Sequence, residues 1–226
     1  MIYALHGFLG LPSDWNHFHP NIHPLNIYDF ATPSAHSTLN HWASSFNSHS
    51  HSGILMGYSL GGRLALHALV NDPAKWKAAI LISCHPGLDS PTERKTRHER
   101  DLLWAEKFQI NNWDSLIKEW NSQMLFQHDV KALRYEQNHS RSILSDTLRY
   151  WSLGTQQPLL AQIIQLPMPI LWIAGEKDSS YVALANSMKF SHPKSQVWIA
   201  PEVGHRVPWS CKSLFQKTLL NFLDGL

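Results

Sequence analysis

Cysteine is scarce. Cys84 and Cys211 are the only two among 226 residues, with neither metal-ligand spacing nor the density of a disulfide scaffold, so both read as reduced thiols. Long apolar runs are missing as well: no uncharged stretch approaches the ~18–20 residues needed to cross a bilayer, so no membrane association is expected. The N-terminus, "MIYALHGF", enters a strand-like segment without a basic region, a long apolar stretch and a small-residue cleavage site, and a cytoplasmic location is expected. Charge is sparse and balanced. Nineteen Lys and Arg face 17 Asp and Glu, a formal net charge of +2, with no run of like charges, so a nucleic-acid partner is not expected. Internal repeats, low-complexity tracts and signs of an obligate protein partner are also lacking.

What the chain does have is enough apolar material, 43% of its residues, to bury one sizeable core, and a single α/β domain over 1–226 is the expectation. Histidine is frequent, with 15 residues. Pairs such as His17 and His19 or His49 and His51 lie among Asn, Ser and Pro with no Cys or carboxylate cluster, and read as solvated loops; no metal and no organic cofactor is expected.

Short apolar runs recur at 2–5, 25–30, 53–58, 78–83, 169–175 and 195–200. They are rich in Ile, Leu, Val and aromatics with little alternation, as in strands covered on both faces of a parallel sheet. Helix-like stretches fall around 37–47, 60–71, 180–190 and 210–224, and Asn71-Asp72-Pro73 stops the second of these. Strand followed by helix, repeated, implies right-handed crossovers. Residues 86–167 contain no convincing strand. They read as a helical cap inserted into a core of 1–85 and 168–226, with Pro167 and Pro169 marking the return to the sheet. Of the tryptophans there, Trp120 is expected to face a pocket, and Trp104, Trp113 and Trp151 to pack.

The stretch "GYSLGGR", 57–63, sits between the apolar run "ILM" and the helix-like "LALHALV". Gly-x-Ser-x-Gly at a strand-to-helix turn forces the serine into a strained conformation that exposes its hydroxyl, and Gly57 and Gly61 permit the close approach. The plainer reading is a serine at a helix N-terminus. A serine of this kind needs a base and an orienting carboxylate, which follow in the order Ser, Asp, His. Asp178 in "IAGEKD" and His205 in "APEVGH" lie just past two strands, at the sheet edge where sites in such folds assemble. Glu176 and Glu202 are the alternative orienters. An oxyanion hole would use the backbone N–H groups of Leu60, after the serine, and Phe8, in "LHGFLG" after the first strand.

Together "LHGF", "GYSLGG", "GEKD" and "VGH" resemble the alpha/beta-hydrolase superfamily over essentially the whole chain. The superfamily usually places two strands before the one ending in His-Gly, whereas five residues precede His6, so the resemblance implies a trimmed, mostly parallel sheet of about six strands. The reaction must be read from residues outside the triad. Arg63 lies one helical turn after Ser59 on the same face. Arg94, Arg97 and His98 sit at helical spacing and either point together to one side or belong to a solvated charged helix.

"GYSLGGR", "HPGL", "ER..R.ERD..WA..F" and "GEKDSSY" are similar to the 2-succinyl-6-hydroxy-2,4-cyclohexadiene-1-carboxylate synthases, which eliminate pyruvate in menaquinone biosynthesis. The resemblance implies that Arg63, Arg94, Arg134 and Trp120 bind the carboxylates and ring of a small-molecule substrate, with Tyr58 beside the serine; Arg141 competes with Arg134 for its role. It also implies that Ser59 acts as a base. The chain departs from the family at "GHRVPWS", where a further histidine and a glutamate are usual, and at "DFATPSAHS". Two other readings stand beside this one: a carboxylesterase or thioesterase using the same triad as nucleophile, and a non-catalytic binding domain.

Overall fold

The computed structural model describes residues 1–226. Six strands, β1 (Ile2–Leu5), β2 (Ile22–Leu25), β3 (Gly53–Tyr58), β4 (Trp76–Ile82), β5 (Ile170–Gly175) and β6 (Gln196–Ala200), form one sheet of order β2-β1-β3-β4-β5-β6. Every pairing is parallel. The sequence implies a mostly parallel sheet of about six strands, and a parallel sheet of six is observed. One strand differs in place: β2 ends where the run 25–30 begins, and Ile27–Asp29 is a 3-10 turn. Asn26 causes the break, accepting from the Tyr28 N–H (3.3 Å) and donating to Asp29 Oδ1 (3.0 Å). Pro24 sits within β2, where an edge position tolerates the missing donor.

Strand side chains alternate between two cores. Tyr3, Leu5, Leu55, Ala79, Leu81, Trp172 and Ala174 face one side, and Ile2, Ala4, Met56, Ile80, Ile82, Leu171 and Ile173 face the other. On the first side pack α1 (Leu39–His49) and α2 (Leu60–Asn71), through Trp42, Phe46, Leu64 and Ala68. The second receives Phe215, Leu219 and Phe222 from the C-terminal helix, together with Trp15 and Phe18. Both faces are covered, which explains why the central strands read as unbroken apolar runs.

Residues 86–167 hold α3 (Pro91–Ile110), α4 (Trp113–Asn121), α5 (Arg141–Tyr150) and the short α6 (Leu160–Ile163), with no strand. Ser90, Asn112 and Ser140 cap the first three by accepting from the N–H groups of Glu93, Ser115 and Ile143. These helices share a core of their own, built from Ala105, Phe108, Trp113, Leu116, Leu144 and Leu148 and seated on Leu9 from the loop after β1. Three further helices, α7 (Ser179–Ser187), α8 (Val207–Ser210) and α9 (Lys212–Asp224), complete the chain. No helix is long and apolar enough to cross a membrane.

Candidate active site

Ser59 stands between β3 and α2 with φ 52° and ψ −112°, a conformation disfavoured for a non-glycine residue. The surrounding backbone is packed too closely to relax it. A Cβ on Gly57 would lie 2.6 Å from the Gly61 carbonyl carbon, and one on Gly61 would lie 2.5 Å from the Leu5 carbonyl oxygen. The turn is thus pressed onto the end of β1, and the Ser59 N–H is held by the Ile82 carbonyl at 2.9 Å.

The serine hydroxyl is 3.0 Å from His205 Nε2, and His205 Nδ1 is 2.7 Å from Asp178 Oδ2. Ionised Asp178 can only accept, so the Nδ1 proton points at it and Nε2 is left to take the Ser59 proton. His205 and Asp178 are both buried. The alternative orienters lie elsewhere: Glu176 accepts the Glu202 N–H, and Glu202 pairs with Lys177 at 3.0 Å in solvent.

Phe8 and Leu60 line the same cavity as Ser59. Leu60 opens α2, so its N–H has no partner within the helix. The loop bearing Phe8 is pinned by buried His6, whose Nδ1 donates to the Gly7 carbonyl (2.8 Å) and whose Nε2 accepts the Ile27 N–H (3.3 Å). Tyr58 packs edge-on to Trp209 and tilted against His205, with ring centroids 4.8 and 5.6 Å away. Burial pushes its hydroxyl pKa well up, so it stays protonated.

The cavity has a volume of about 310 Å³ and lies between the sheet edge and the inserted helices. Trp120 lines it, tilted against Phe8 and edge-on to Trp104, each with ring centroids 4.9 Å away. Trp104 and Trp151, expected to pack, line it too, as does Trp209. The other polar lining is mainly cationic: Arg63, Arg97, Arg100, Lys131, Arg134 and Arg206 against the carboxylates of Asp14 and Asp101. Both acids are engaged, Asp14 by Arg134 and Asp101 by Arg97. With no free carboxylate or thiolate and a single histidine, this donor set does not suit a metal ion.

Counting donors separates the cations. Arg63 is buried beneath Ser59, donating through Nε to Gln156 Oε1 (2.6 Å) and through Nη2 to the Trp151 carbonyl (2.8 Å). Burial lowers its pKa to about 10, so it remains charged at neutral pH. Arg134 spends both terminal nitrogens on Asp14, at 2.9 and 2.8 Å. Arg97 uses only Nε, donating to both Asp101 oxygens at 3.0 Å, and its terminal fork is free; the Arg100 and Lys131 side chains, both exposed, form no hydrogen bond or ion pair. Arg141, the competitor of Arg134, is bound to Glu136 and to the carbonyls of Phe108 and Asn111, outside the cavity.

Of the residues expected to bind substrate, Arg94 alone does not line the cavity. Its Nη1 folds back onto the Leu88 carbonyl at 3.2 Å, ahead of the helix. The helical spacing groups Arg94 with Arg97, but the turn of α3 over the cavity begins one step later, so that Arg97 lines it and Arg94 does not. Arg206 and Tyr181 were also missed. Tyr181 sits one turn past Asp178 with its ring edge-on to His205 at 4.8 Å, and Arg206 follows the histidine directly. The departure from the family pattern at "GHRVPWS" was the available signal for Arg206.

A model of the alpha/beta hydrolase family matches residues 2–211. The chain is 29% identical over 175 residues to the 2-succinyl-6-hydroxy-2,4-cyclohexadiene-1-carboxylate synthase of Serratia proteamaculans, covering 75% of this chain and 67% of that one. It is 28% identical over 209 residues to the synthase of the same name from Klebsiella pneumoniae, covering 81% and 80%. The chain spans about two thirds of the length of the first curated relatives it matches, 66% and 67% for two of them. Among solved structures, MenH from S. aureus superposes with a TM-score of 0.85 at 23% identity over 99% of this chain and 93% of the other, a likeness of fold.

Proposed function

Because the chain belongs to the alpha/beta hydrolase family, we propose that it is a carbon–oxygen lyase of that fold. It converts 2-succinyl-5-enolpyruvyl-6-hydroxy-3-cyclohexene-1-carboxylate to 2-succinyl-6-hydroxy-2,4-cyclohexadiene-1-carboxylate and pyruvate, in the cytoplasm and without a cofactor. The names of the curated relatives support the substrate. The observation that carries the reading is the free fork of Arg97, in a cation-lined cavity shared with Ser59.

The substrate's ring C–H beside the succinyl ketone is acidic. Ser59 Oγ takes that proton as its own passes to His205 Nε2, and Asp178 stabilises the imidazolium. The electron pair left on carbon delocalises onto the ketone oxygen, which the N–H groups of Phe8 and Leu60 can hold. Collapse through the ring double bond breaks the carbon–oxygen bond to the enolpyruvyl group. The proton on His205 then returns to the leaving enolate, giving pyruvate. Arg97 can pair bidentately with a carboxylate, Arg63 adds charge from below, and Trp120 covers the ring.

A substrate with deuterium on the acidic ring carbon tests this reading in a single turnover. Pyruvate release should slow several-fold relative to the protiated compound, with no acyl adduct on Ser59 by intact mass. An acyl-enzyme with a burst of product would instead support the esterase reading.

A further inference from the structure

The loop that carries His205 is fastened to the inserted helices by hydrogen bonds running both ways. The Arg206 N–H donates to Asp129 Oδ1 at 2.9 Å, and Ser210 Oγ donates to the same oxygen at 3.1 Å. In return, Arg206 Nη1 donates to the Val130 carbonyl at 2.9 Å and Nη2 to Asn121 Oδ1 at 2.6 Å. Gly204 makes room for the carboxylate, since a Cβ there would lie 2.9 Å from Asp129 Oδ2. The guanidinium lies 4.1 Å from the centre of the Phe126 ring, and that ring stands edge-on to His205 at 5.8 Å.

Arg206 is buried with no carboxylate in ion-pair range, and burial lowers its pKa. Both its terminal nitrogens are committed to segment 121–130, so it fits a strap better than a clamp for a substrate. His205 is met by Ser59, Asp178, Tyr58, Tyr181 and Phe126. Of these, Phe126 alone comes from the insertion. Asp178 fixes the ring through Nδ1 and the Lys177 N–H holds the Val203 carbonyl at 2.9 Å before the histidine, while the peptide N–H directly after it is the one Asp129 holds.

We propose that Asp129 and Arg206 are positioning residues, forming a clasp through which segment 121–130 sets the His205 ring against Ser59. A displacement of about 1 Å at such a contact lowers rates about a hundredfold. The clasp acts on any chemistry that Ser59 begins, so it does not depend on the elimination reading.

The test is the rate at which a small neutral fluorophosphonate modifies Ser59, which needs the serine and histidine aligned but uses none of the carboxylate-binding cations. Asn121→Ala and Asp129→Ala should each slow labelling about tenfold or more, and lower kcat with KM little changed. Asp129→Asn, which keeps an oxygen at the Oδ1 position, should stay within about twofold of the parent protein. Labelling within about twofold in both alanine variants would overturn the proposal. So would a raised KM with kcat and labelling unchanged, which would make Arg206 a substrate ligand. If Asp129→Ala shows no cooperative melting, Asn121→Ala, at the end of α4, decides alone.

Discussion

Ser59, His205 and Asp178 are joined by two short hydrogen bonds, and the backbone strain at Ser59 holds the hydroxyl where the histidine can reach it. Side chains that act as a unit fail as a unit. Ser59→Ala and His205→Ala should each lower turnover by several orders of magnitude without unfolding the protein, and Asp178→Asn should be the mildest of the three. Steady-state rates beside thermal melting check this; near-normal activity in Ser59→Ala would contradict it. These three positions were legible in the sequence because each is fixed locally: a strand end, a tight turn, a glycine that leaves no alternative backbone path. Arg97 was not, since choosing between it and Arg94 requires knowing which turn of α3 lies over the cavity, and docking of the insertion decides that. Arg206 was hidden for the same reason.

At the level of elements, α3 and the turn after α5 act together through one buried carboxylate. Asp101 receives Arg97 Nε and the Ser152 hydroxyl, the latter at 2.7 Å, and so aims the Arg97 fork into the cavity. Asp101→Asn should raise KM for a carboxylate substrate about tenfold with kcat changed little, because the cation stays but loses its orientation. A kcat loss at unchanged KM would contradict that account. The central strands were legible as apolar runs because helices cover both faces of the sheet. β2 was not: an edge strand of four residues containing His23 and Pro24 reads as loop, and the apolar residues after it belong to a turn shaped by Asn26. Segment 121–135 has weak helical signals, so nothing local foretold that it fastens onto the histidine loop.

Buried His67 and half-buried His85 and His139 have lowered pKa values, and each makes the stability of the whole molecule fall in acid. His67, on α2, is buried with Nδ1 donating to Asn40 Oδ1 at 2.6 Å and Nε2 unpartnered; burial and then Arg63 push its pKa down to about 3. Burial likewise lowers His85 and His139 to about 4. Their stabilisation is complete above the unfolded value of about 6.5 and is lost as pH falls from there toward 3, because the unfolded chain takes protons that the native fold refuses. At pH 5, His67 alone accounts for a loss of about 2 kcal/mol. Urea midpoints from pH 7.5 to 5 should fall less steeply in His67→Gln than in the parent, and equal slopes would contradict this. The fold as a whole brings a polarised serine and an arginine with a free terminal fork into one cavity, and the most direct test of that claim is a comparison of two substrates. Pyruvate release from the enolpyruvyl substrate and hydrolysis of a neutral nitrophenyl ester are measured in the parent, Arg97→Ala, Arg97→Lys and Arg94→Ala. Arg97→Ala should lose about 2–5 kcal/mol of transition-state stabilisation on the first substrate and little on the second, with partial rescue by lysine and Arg94→Ala close to the parent. Equal losses on both substrates, or no pyruvate from the parent protein, would contradict the account.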